Sequence, residues 1–121
     1  MSYLPIYKTL KANAAVTALL GDDLRVYEDV APENSIVPYA VWQELSGQSY
    51  NHLDNAPADF DDVMFQVMVY DTNAKNAYAV RDVVRKALEL SCFVLNPRIS
   101  NIDPVTKQYV RGFDANWIQE I

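Results

Sequence analysis

His52, four closely spaced aspartates and Cys92 are the side chains of this sequence whose types could do chemistry. As the single histidine, His52 would have to be the base of any Ser-His-Asp or Cys-His relay, and such a base must be held rigidly. It stands instead within residues 46–60, a stretch of Ser, Gly, Asn, Asp and Pro with neither helical nor strand period, and reads as an exposed loop histidine. Asp54, Asp59, Asp61 and Asp62 offer the oxygen ligands that hard cations prefer, but their spacing lacks the alternation and central glycine of a calcium loop. Cys92 lies between Leu90 and Phe93-Val94-Leu95 and reads as a buried small hydrophobe; alone, it can build neither an intrachain disulfide nor a cysteine metal cage. Gly21, Gly47 and Gly112 are too far apart to cradle a phosphate. Trp42, Tyr70, Phe113 and Trp117 could stack bases or ligands, but no basic side chains interleave them, so packing is the better reading. No catalytic residue, cofactor or metal is expected, which moves the expectation toward a binding or structural role.

The elements around these residues are legible from period and punctuation. Ser2 and Pro5 suit a helix start and Gly21 a helix end. Ile6 and Leu10 share one helical face while Val16, Leu19 and Leu20 point in a direction turned by roughly 100°. Asn13 is a good N-cap, so the spacing predicts a helix near 3–12 and a short one near 14–20. Strands follow at 24–27 and 39–45, joined by a Pro-containing connection. The clearest strand is 62–70, where Val63, Phe65, Val67 and Val69 take one face and Met64, Gln66, Met68 and Tyr70 the other. The first set is core; the second is too apolar to face water alone and calls for a cover. Asp71 or Thr72 caps a helix running to about 90, with Ala77, Val80, Val84, Ala87 and Leu88 on its buried side. Two strands, at 93–99 and 109–118, are joined by a hairpin turn at 103–107. The fold class is therefore α+β. The order α-β-β-β-α-β-β gives an antiparallel sheet of four to five strands, with two main helices packed on one face and a long loop between the second and third strands.

The chain has 121 residues, half of them hydrophobic and about a fifth charged, which suits one domain over residues 1–121 with a single core. No apolar run approaches the roughly 20 residues of a membrane span, and the N-terminus lacks a secretion signal, so a protein of the cytoplasm without membrane contact is expected. The net charge of −6 argues against gripping nucleic acid through a basic patch. Ten acidic residues fall between Asp22 and Asp62 against Arg25 alone, a local sum of −9, while Lys75, Arg81, Arg85 and Lys86 cluster later. Such segregation suits head-to-tail contact between identical copies; an acidic surface that aids solubility is the plainer alternative.

Three stretches together resemble the tail-completion, or tail-terminator, proteins of long-tailed phages and prophages. They are LKANAAVTALLG at 10–21 with RVY at 25–27 and VAP at 30–32; VPYAVWQ at 37–43 with LSG at 45–47; and FQVMVYD at 65–71 with AYAVRDVVRKAL at 77–88. The match runs over residues 10–90, and DANW at 114–117 fits the family's last strand only loosely. The resemblance implies a non-catalytic structural protein that caps the finished tail tube as a ring, commonly a hexamer, and joins tail to head. The implied partners are other copies of the chain (a homo-hexamer on assembly, with a monomer as the alternative state in isolation), the tail-tube protein and the head-tail connector. No specific nucleic acid partner is implied, and the location is the virion tail, or the host cytoplasm during assembly. A head-side connector or neck protein, or a prophage-encoded small binding module, is the alternative. The expected assembly interface is Ser46, Gly47, Tyr50, Asn51, His52, Leu53, Asp54 and Phe60 of the loop, with Arg81 and Arg85 of the basic helix. Burying Tyr50, Leu53 and Phe60 yields roughly 5–8 kcal/mol, while ordering residues 46–60 costs about 1–2 kcal/mol each. The loop is thus expected to be mobile until a partner binds.

Overall fold

Asn13 divides what would otherwise be one N-terminal helix. In the computed structural model, which describes residues 4–50 and 60–120 apart from the side chains of 48–50, 60 and 119–120, α1 spans Ile6–Lys11 and α2 spans Ala14–Leu20. The Asn13 side chain accepts hydrogen bonds from the Ala15 and Val16 amides at 3.0 and 3.2 Å. The reorientation lets Ile6, Leu10, Val16 and Leu20 all become fully buried, although they do not share one face of a straight helix. Helix α1 starts later than expected, after Pro5, and Ser2 lies outside the described residues. At Gly21 the backbone turns to φ 89° and closes α2 through its amide to Thr17 O.

Five strands form one sheet: β1 Val26–Glu28, β2 Tyr39–Tyr50, β3 Phe60–Asp71, β4 Phe93–Ile102 and β5 Tyr109–Glu120, in the order β1-β2-β3-β5-β4. Four of them pair antiparallel as expected, but β1 runs parallel to β2. The connection at 29–38 returns the chain to the sheet in the same direction, through positive φ at Asp29 and Asn34. Strands β2 and β3 are longer than their sequence patterns. Ser46, Gly47 and Tyr50 pair with Met64, Val63 and Phe60, so the segment expected to begin as loop at residue 46 is strand up to residue 50. A bulge between Glu44 and Ser46 resets the register there. Pro97 is tolerated because β4 is an edge strand, and the pairing of β4 with β5 is irregular around it.

Helix α3, Ala74–Leu88, crosses the same sheet face as α1 and α2. Its N-cap is Asn73, which accepts from the Asn76 amide, with Asp71 accepting from the Thr72 and Asn73 amides just ahead of it. Phe65, Val67, Val69, Trp42, Phe113 and Ala115 form the sheet side of the core against Val80, Val84 and Leu88. On the opposite face Tyr70 stacks on Tyr39 at 5.0 Å, and Met68 lies across Gly112. Gln66 and Asp114, and Asn116 and Asp62, join by hydrogen bonds. The second face is therefore partly self-covered and partly open, with Met64 exposed.

Candidate functional site

Among the described residues no group of three His, Cys, Asp or Glu side chains could hold a metal ion. Asp61 and Asp62 are neighbours on β3 and so point to opposite faces, whereas Asp54 and Asp59 lie outside the described residues. Cys92 is 7% exposed, and burial, with Glu89 nearby, pushes its thiol up to about 11, the behaviour of a core residue. A cleft of about 600 Å³ opens between the 29–35 connection and the 103–108 turn over Tyr39 and Tyr70. Burial raises the pKa of both phenols, and the carboxylates along the cleft, Asp29, Glu33 and Asp103, give it no paired acid and base.

Of the expected assembly residues, Ser46 and Gly47 are exposed on β2, and Tyr50 and Phe60 end β2 and begin β3. Asn51, His52, Leu53 and Asp54 lie outside the described residues. Arg85 is partly exposed and paired with Glu89 at 2.7 Å. Arg81, expected at the assembly interface, is instead 2% exposed. The sequence held the signal for this: 81 falls four residues after Ala77 and three before Val84, both on the buried stripe.

Arg81 belongs to a cluster that the sequence does not advertise. The Tyr78 ring on α3 has three guanidinium carbons around it, Arg111 at 4.8 Å, Arg81 at 5.0 Å and Arg98 at 5.7 Å. Strand β5, over which α3 packs, brings Arg111, and β4, paired to β5, brings Arg98. Arg81 pairs with Asp82 at 2.9 Å, and Arg111 Nη1 donates to the carbonyls of Asn101 and Val110 at 3.0 and 2.9 Å. Hydrogen bonds from Ser100 and from Arg111 hold the Tyr78 phenol below its usual pKa. At the other end of the sheet, Asp22, Asp23, Asp29 and Glu33 are exposed around β1, and Glu44 is exposed on β2. Arg25 is turned inward onto the carbonyls of Pro38 and Leu19 at 2.9 and 3.2 Å, and the Lys11 amine donates to the Asp22 carbonyl. Exposed carboxylates thus gather around β1, while Arg81, Arg98 and Arg111 gather where α3 meets β5 and its edge neighbour β4.

A family model described as "Tail completion protein gp17" matches residues 5–118. Among solved structures, a chain of the "Virion of native gene transfer agent (GTA) particle" is similar in fold, with a TM-score of 0.63 and 17% identity over 96% of this chain and 92% of that one. The sequence matches no curated protein.

Proposed function

Since this chain belongs to the tail completion protein gp17 family, we propose that it is a non-catalytic structural protein of a phage or prophage tail that forms a ring at the end of the tail tube and presents the surface for head-tail joining. The family match over residues 5–118 carries the reading. Fold likeness to a component of a phage-like virion is consistent with it. The layout of the sheet adds a physical reason: exposed carboxylates gather around one edge strand and an arginine cluster near the other, and head-to-tail contacts between such complementary sites close into rings when the rotation permits. Beyond residue 42, β2 has no outer strand partner among the described residues, and β4 has none on its outer side. Either edge offers backbone groups to a neighbour.

Residues 46–60, with Arg85, are proposed to contact the next copy or the tail tube. Deleting residues 51–58 should leave the thermal midpoint of the subunit nearly unchanged and abolish ring formation. Electron microscopy of the purified protein, alone and mixed with tail tubes, tests the whole reading. Rings alone or at one tube end are expected; bare tube ends at saturating protein would sink it, and decoration of heads instead would favour a head-side connector.

A further inference from the structure

We propose that the arginine cluster around Tyr78 is the seat for a carboxylate from the β1 end of a second copy of this chain, a contact that rests on the ring proposed above. Three guanidinium groups converge on one phenol, and the carboxylate bonded to them is Asp82, on Arg81 through Nε and Nη2. The buried carboxylate on the same sheet face, Asp71, is engaged elsewhere: it accepts from the amides of Thr72 and Asn73 and from Asn76 Nδ2. Positive charge is therefore in excess. Two buried donors, Arg81 Nη1 and Arg111 Nε, have no hydrogen-bond partner among the described residues. Arg81 is buried and held on one side by Asp82, Arg111 is half-buried on two carbonyls and Arg98 is exposed. A buried guanidinium donor is costly unless paired, so the two unpartnered donors beside an exposed third arginine favour an anion.

The geometry assigns distinct parts to the three. Arg81 and Arg111 stack on Tyr78 from the protein side and supply field, while Arg98 is exposed and faces outward. A planar guanidinium fork matches a carboxylate in two parallel hydrogen bonds, and the Tyr78 ring limits the rotamer freedom lost in making them. The occupant follows from where charge lies. Asp22, Asp23, Asp29, Glu33 and Glu44 are exposed at the end of the sheet opposite β4, and a head-to-tail ring brings opposite ends of successive copies together.

The contact is tested on the full chain by two variants of Arg98, whose exposure leaves folding unaffected. R98E should raise the protein concentration for half-assembly by roughly tenfold or more in mass photometry, with an unchanged circular dichroism spectrum and a thermal midpoint no lower than the parent's. R98K places an amine at the same point. Zero-length carbodiimide coupling in a mixture of isotopically light and heavy protein should then join residue 98 of one copy to one of the five acidic residues of another. If R98E assembles as the parent does and coupling reaches only Asp82 of the same chain, the cluster is not the contact, although the ring stands. A parent that forms no ring at any concentration, alone or on tail tubes, removes the ring and this contact together. Loss of duplex-DNA binding in R98E with assembly unchanged overturns the proposal in favour of a phosphate ligand.

Discussion

Gly112 on β5 is the position where the smallest substitution should do the most damage. A Cβ built there would lie 2.2 Å from Val67 O and 2.5 Å from Met68 Sδ. The sulfur can swing away, but the carbonyl belongs to β3, the middle strand of the sheet, and is fixed by its pairing with β5. Close carbon-oxygen contacts in sheets settle at about 3.3 Å, so the two strands must part by roughly 1 Å. Parting them by that much takes about two flanking backbone hydrogen bonds beyond useful length, at about 1 kcal/mol each, and over-packing contributes a similar amount. Gly112→Ala is thus expected to lower the unfolding free energy by about 3 kcal/mol, and the thermal midpoint by roughly 12 °C for a domain of this size. Gly47→Ala is the internal control: its nearest contact is Asp62 O at 3.7 Å, and removing glycine from a strand is neutral or slightly favourable. Urea denaturation followed by tryptophan fluorescence measures both. Should Gly112→Ala fall within about 1 kcal/mol of Gly47→Ala, the close approach of β3 and β5 argued here is wrong.

Asn13→Ala removes the acceptor for two amides at the start of α2 and is expected to cost about 1 kcal/mol in the same assay, with Asn13→Asp close to the parent. Cys92, whose thiol is pushed up to about 11, should react with iodoacetamide at pH 8 only at the rate of global opening, so alkylation that outpaces unfolding contradicts its place in the core. The amides of Thr106 and Val105, in that order, hold the Asp103 carboxyl below its ordinary value of 3.8. Because the folded value is the lower one, the stability this group adds is present above about 3.8 and is lost as pH falls below it. Asp103→Asn should therefore flatten that part of the acid-unfolding profile; an unchanged profile would contradict the capping role.

Much of the architecture was legible because it is encoded within a few residues. Alternation at 63–69 placed the core face of β3, and Asn13 announced the helix break. Asp103 with Pro104 marked the hairpin, which begins with Asp103 accepting from the Val105 and Thr106 amides. The acidic bias of 22–62 was equally plain. What tertiary structure decided are the pairings between distant segments. Ser46, Gly47 and Tyr50 have little strand preference of their own, yet they become strand because β3 supplies a partner ladder. Strand β1 runs parallel because the 29–38 connection returns the chain in the same direction, which no local pattern reports. Arg81 looked like one cation among several on a helix. Its burial depends on β5 arriving beside α3, where Arg111 of β5 and Arg98 of the neighbouring β4 reach the same phenol. Side-chain period and caps act over one turn or one strand, whereas the assembly of charges from residues 78, 81, 98 and 111 depends on sheet order, and that is settled only when the whole core packs.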